Sequence, residues 1–353
     1  MKPNKIRDQK LISYWLFTGM LMVFVQILVG GITRLTGSGL SITRWDIVMG
    51  SIPPLNPDQW EDAFDLYKTT PQYQHINTGM HLSEFKFIFF WEFFHRLWAR
   101  SMGFIFIIPF IFFLMRRSLS VVVLKNLFWV IVLAGLAAIF GWIMVASGLI
   151  ERPWVNAYNL TIHLSLGILL FLALFYTWLN HRSYKKYDPG KKWHKCIIAI
   201  LILACIQVIF GGLMSGMKAA LTYPTWPLIS GQWIPAIIMD TRLWNKDNFL
   251  LYDKSGFMPA LVQFIHRNLA YLLFMVISVF SVMWYRTSIR SWRWISFILL
   301  GIIVVQISLG ILTLINSTGY IPVVYGSLHQ GLGILFIATL FYLHLVIKPV
   351  NIK

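Results

Sequence analysis

Eight stretches of this chain, approximately 11–33, 87–115, 124–147, 156–180, 194–215, 258–285, 293–315 and 322–347, are predominantly apolar. Each reaches the length of about 20 residues that a bilayer crossing requires. Inside lipid the backbone must satisfy its own polar groups, and runs of this length do so as helices. The chain is therefore expected to be an all-α integral membrane protein with eight transmembrane helices. Its composition agrees, with 58% hydrophobic and 12% charged residues, where a soluble domain carries about 25% charged.

The formal net charge of +17 raises the question of nucleic acid. Its distribution answers it. Basic residues gather at both termini and in the connections after the second, fourth and sixth stretches, among them Arg116, Arg117, Lys185, Lys186, Lys191, Lys192, Arg286 and Arg290. That bias places both termini in the cytoplasm and the long connections 34–86 and 216–257 outside. No soluble domain remains to bind nucleic acid. The N-terminal MKPNKIRDQK leads into an apolar run without a small-residue cleavage site or an Arg/Ser-rich transit segment. It reads as a retained helix, and favours a bacterial inner membrane over the alternative of a processed organellar chain. Cys196 and Cys205 share one stretch and form neither a disulfide nor a metal pair.

Both outer connections exceed ordinary loop lengths, which suggests structure or function. Segment 57–68, PDQWEDAFDLYK, has helical spacing with Trp60, Phe64 and Tyr67 on one side. It is expected either to lie on the membrane surface or to pack over the bundle.

The chain also repeats itself. In QILVGGITRLTGSGLSITRW and QVIFGGLMSGMKAALTYPTW, Gln26, Gly30, Gly31, Leu40 and Trp45 align without a gap on Gln207, Gly211, Gly212, Leu221 and Trp226. EFFHRLWA at 92–99 matches QFIHRNLA at 263–270, and HLSLG at 163–167 resembles HQGLG at 329–333. Three matches in one order predict two pseudo-symmetric four-helix bundles, 1–185 and 186–353, related by an axis along the membrane normal.

This repeat puts His95, His163, His266 and His329 at one depth, roughly 10 Å inside the outer ends of their helices at about 1.5 Å per residue. Ionisable groups within a membrane are costly and usually functional. Paired neutral imidazoles on facing helices of a bundle suit a haem iron held from both sides. Glycines at 30, 31, 167, 211, 212 and 333 would admit a flat macrocycle, and close helix packing accounts for them equally well. Arg96 and Arg267 each follow a ligand candidate. They suit haem propionates, or a nearby acid or loop carbonyl. The halves differ at Glu92, which lies one turn before His95, because Gln263 occupies that place before His266. An acid in one half alone suggests proton chemistry there and electron transfer in the other, although an interfacial Glu92 fits the spacing too.

The stretches GGITRLTGSGLSITRW, EFKFIFFWEFFHRLWAR, LTIHLSLG, QFIHR and GSLHQGLG resemble the haem A synthase family, specifically its mitochondrial and proteobacterial type. The likeness runs from about Gln26 to the last span. It implies oxidation of the C8 methyl of haem O to the formyl of haem A by successive hydroxylations, for cytochrome c oxidase. It implies a haem b cofactor at His266 and His329, and the substrate haem at His95 and His163 with Glu92 in the catalytic position. The implied partners are the haem O synthase (protohaem farnesyltransferase) and oxidase assembly factors. Many bacterial members carry a cysteine pair in the first outer loop. Residues 34–86 contain none, which removes a thiol role there. Two other functions use some of the same features. A di-haem cytochrome b-type carrier needs the four histidines but not Glu92, and a proton-coupled transporter needs the repeat and the buried charge.

Overall fold

The computed structural model describes residues 3–43, 52–150 and 153–348. Its α-helices are α1 (Pro3–Leu35), α2 (Pro57–Lys68), α3 (Pro71–His75), α4 (Leu82–Met115), α5 (Val121–Ile150), α6 (Ala157–Arg182), α7 (Lys191–Gly216), α8 (Ala219–Thr222), α9 (Ala236–Met239), α10 (Lys246–Leu250), α11 (Phe257–Thr287), α12 (Trp294–Ile315) and α13 (Val323–Val346). Among the described residues there are isolated β-bridges but no strands. Eight helices are long and apolar enough to cross a membrane: α1, α4 to α7 and α11 to α13. Several overrun the stretches expected from hydropathy. Hydropathy marks only the lipid-facing part of a helix, and the backbone bonds continue through charged ends into the headgroup layer.

Helix starts follow local chemistry. Asn56 and Thr70 cap α2 and α3 from their side chains, each followed by a proline that has no N–H to orphan. Asn156 accepts from the N–H groups of Tyr158 and Asn159 at the start of α6. The Glu84 carboxylate reaches back to the His81 N–H at the start of α4.

The chain divides into two compact units, Met1–Ser183 and Tyr184–Lys353. In the second unit α7, α11, α12 and α13 close a ring, each packing on two neighbours. In the first, α4 packs on α1, α1 on α6 and α6 on α5, while α4 and α5 make no comparable contact among the described residues. That unit is an open arc.

The amphipathic segment in the first outer connection forms α2 and packs over α4, the second of the two arrangements expected for it. Phe64 and Tyr67 stack on Phe85 with ring centres 5.0 and 5.2 Å apart, and Trp60 meets Phe89 edge-on at 5.0 Å. The Tyr67 hydroxyl donates to Gln72, which in turn donates to the Gly37 carbonyl, and Asn77 donates to Tyr67. Burial pushes the Tyr67 phenol up to about 12, so it remains a neutral donor. The acidic residues of α2 face outward, and Asp65 holds Lys68 above its ordinary value.

Candidate functional site

In the second unit α11 carries His266 and α13 carries His329. Their ring centres stand 6.4 Å apart with planes at 72°. Two imidazoles holding one iron at about 2 Å each have centres about 6 Å apart. His329 Nδ1 lies 2.9 Å from the Gln306 carbonyl and donates to it, which leaves the Nε2 lone pair for a metal. His266 faces the Gln207 backbone, but its Nδ1 is buried without a bond of hydrogen-bonding geometry. Gly211 and Gly310 lie against the two rings. A Cβ there would come within 3.4 Å of His266 Cε1 and 2.9 Å of His329 Cε1. No group of three or more His, Cys, Asp or Glu side chains converges on a metal position among the described residues. The spacing of the rings, the His329 tautomer and the glycine walls fit a haem, once the Gln207 amide 3.3 Å from His266 Nε2 gives way.

The first unit reuses these parts with differences. His163 on α6 has its Nδ1 2.9 Å from the Ala137 carbonyl and rests on Gly141, where a Cβ would stand 3.0 Å from its Cε1. His95 on α4 rests on Gly30 by its opposite edge, with Nε2 3.1 Å from a Cβ placed there. The two histidines lie within electrostatic range of one another.

Glu92 is 2% exposed. Its Oε2 accepts from the Ser41 N–H at 2.7 Å, the Ser41 hydroxyl at 2.7 Å and the Ile42 N–H at 2.9 Å, and its Oε1 accepts from Arg96 at 2.5 Å. These donors satisfy both carboxylate oxygens and fasten the loop at Ser41 and Ile42 to α4. In the second unit the corresponding Gln263 donates to the Tyr223 carbonyl at 3.0 Å, so the same helix position fastens the loop after α7 without a charge.

Both arginines make the second kind of contact expected for them. Arg96 pairs with Glu92 and donates to the Ile42 carbonyl. Arg267 donates to the carbonyls of Thr225, Tyr223 and Leu228. A cavity of about 90 Å³ lies beside Arg96, lined by Ile42, Thr43, Trp142, Val145, Ala146 and Leu149. It sits on the open side between α4 and α5, at the end where Ile42 and Thr43 lie.

Six residues at these sites did not stand out in the sequence: Ser41, Ile42, Ala137, Gly141, Gln306 and Gly310. A signal for three of them was present, since Gln-x-x-x-Gly occurs at 26–30, 207–211 and 306–310, and 137–141 is the same frame with alanine in place of glutamine. Trp45, one of the repeat matches, lies outside the described residues.

Residues 13–341 match the family described as cytochrome oxidase assembly protein (COX15-CtaA). Proteins named heme A synthase from Brucella suis and Brucella ovis are each 36% identical to the chain over 333 residues, covering 94% of it and 90% of theirs. The Brucella anthropi protein of the same name is 35% identical over the same span.

Proposed function

The chain belongs to the COX15-CtaA family and makes haem A from haem O as a multi-pass membrane oxidoreductase, and on that premise we propose that its two units divide the work. The first, residues 1–185, takes haem O between His95 and His163. The second, residues 186–353, holds a haem b between His266 and His329. The 6.4 Å separation of the His266 and His329 rings is the observation that carries this assignment.

A haem b in the second unit supplies one-electron redox capacity. The chain's own residues do the rest. The Ala137 and Gln306 carbonyls fix the tautomers of His163 and His329. Glu92 is the catalytic carboxylate for oxidation of the C8 methyl, which passes through an alcohol and a geminal diol that loses water. Its Oε2 is fully occupied by the outer loop, so Oε1, paired with Arg96, is the oxygen that exchanges a proton. Arg96 and Arg267 directly follow His95 and His266 in the chain, and both suit propionates once their loop carbonyls yield. The helix α2 packs on α4 and α3 packs on α5, and this loop layer keeps water from that carboxylate.

Haem O carries a long isoprenoid tail and enters from lipid. The open side between α4 and α5 supports entry there, because the second unit is closed at its corresponding face. Ala146 lines the cavity on that side. Tryptophan at 146 is expected to lower haem A formation about tenfold, the effect of overpacking a formed space, while the haem b content of the purified protein stays unchanged. A wild-type rate in that variant would place the entrance elsewhere.

Both termini are cytoplasmic and both haem sites lie toward the periplasmic side of the inner membrane. Haem O comes from a membrane enzyme that farnesylates protohaem, and the product passes to cytochrome c oxidase assembly. Haem extraction from cells that express the chain with that farnesylating enzyme tests the reading. Haem A is the expected product, and haem O recovered unchanged would reduce the chain to an electron carrier.

A further inference from the structure

At three of the four histidines a glutamine on the adjoining helix donates to the backbone carbonyl of the histidine itself. Gln26 Nε2 on α1 lies 3.2 Å from the His95 carbonyl, Gln207 Nε2 on α7 lies 3.1 Å from that of His266, and Gln306 Nε2 on α12 lies 2.9 Å from that of His329. Each glutamine stands four residues before the glycine on which the ring rests. One helical face therefore receives the imidazole and grips its backbone one turn away. At the fourth histidine the frame persists, with Gly141 under the ring, but residue 137 is alanine and has no side chain with which to donate.

These amides are poor general adhesive. Oε1 of Gln26, Gln207 and Gln306 is in every case buried without a partner, an arrangement that an apolar side chain would avoid. The second unit even clears space for its amide. A Cβ at Gly333 would come within 3.2 Å of Gln306 Nε2, whereas the matching Gly167 in the first unit faces Ile27. What the amide does supply is a fixed register. A helix carbonyl that already accepts from the following turn takes the amide on its second lone pair. In lipid, sliding the two helices apart breaks that bond with no water to replace it.

We propose that Gln26, Gln207 and Gln306 are positioning residues that lock the backbone of each ligand histidine to the neighbouring helix, and that Ala137 leaves His163 as the one ligand without this lock. His163 is then the ligand that withdraws to let the first unit exchange what its iron holds. Both ligands in the second unit are locked, which suits a haem that only passes electrons. This inference rests on the haem assignment above.

Carbon monoxide is the probe, because it binds reduced haem only where an axial ligand has left. The test uses purified full-length protein loaded with haem O, reduced, and read optically and by electron paramagnetic resonance before reduction. In the wild type, haem b is expected to be inert to carbon monoxide and the haem of the first unit reactive. Gln306→Met and Gln207→Met keep the side-chain volume and remove the donor. Each is expected to raise the reactive fraction of haem b about 3- to 30-fold, the equilibrium worth of one such bond in a membrane, and to shift its low-spin signal. Ala137→Gln is expected to lower the reactivity of the first unit by a similar factor. Haem b that stays inert with an unchanged signal in both methionine variants, together with wild-type reactivity in Ala137→Gln, would overturn the lock. A wild type without any bis-histidine low-spin signal would instead overturn the haem assignment, and the lock with it.

Discussion

His266→Ala or His329→Ala is expected to remove at least about nine-tenths of the haem b from the purified protein, because on the proposed assignment these two imidazoles would be the residues that hold the iron. The two rings stand at the separation that one iron between them requires, and His329 is already held in the ligating tautomer by the Gln306 carbonyl. Truncation leaves one side of the iron without a ligand and a hole where a half-buried ring stood. The ring of helices α7, α11, α12 and α13 should survive, since its contacts run the length of the helices and most of its core lies away from the two histidines. A haemochrome assay and a helical circular dichroism spectrum on the same sample separate loss of haem from loss of fold. A normal haem spectrum in either variant would refute the cofactor assignment. His95→Ala serves as the control, since it should impair turnover and spare haem b. If haem b vanished there instead, the roles of the two units would be exchanged.

Glu92→Gln is expected to leave haem b in place and to cut haem A formation by about 100-fold or more, the contribution of a positioned general acid or base to turnover. The carboxylate accepts from Arg96 at one oxygen and from Ser41 and Ile42 at the other. A glutamine has the same shape but only one acceptor oxygen. Its amide nitrogen must confront either the guanidinium or the loop N–H groups, and it cannot exchange the proton assigned to Oε1. Ser41→Ala divides the two roles of Glu92. It removes one of three donors to Oε2 and leaves the carboxylate, both backbone N–H donors and Arg96, so an anchoring role predicts a loss of about three- to tenfold only, the typical net worth of one intramolecular hydrogen bond. Full haem A synthesis by Glu92→Gln, measured by extraction against haem b as internal standard, would remove Glu92 from the mechanism.

Much of this site was legible because lipid makes the sequence explicit. A polar group inside a bilayer is expensive, so four histidines and one acid within apolar runs stand out, and the internal repeat assigns them to pairs. The repeat also singled out Gly30 and Gly211, which lie under His95 and His266. It did not lead to Gly141 and Gly310 under the other two rings, since glycine and alanine are common in membrane helices for packing alone. The arginines show a different limit. Adjacency to a histidine marked Arg96 and Arg267, but apart from the local Arg96–Glu92 pair they also reach residues distant in sequence, Ile42 for one and Thr225 for the other.

The sequence by itself determined the eight apolar helices and the presence of an acid in only one half of the repeat, and it supplied the expected direction across the membrane and the proposed pairing of the histidines. Each of these follows from hydropathy, charge and local spacing, which are properties of residues near one another in the chain. Tertiary structure alone decided that α2 packs on α4, that the first unit is open between α4 and α5, and that Glu92 is bonded to the outer loop. It also decided that a glutamine amide reaches the backbone of three ligands and not the fourth. Those features depend on which helix faces lie against each other, and in lipid, where apolar residues cover every face, composition does not specify that choice; close packing and a few interhelical hydrogen bonds do.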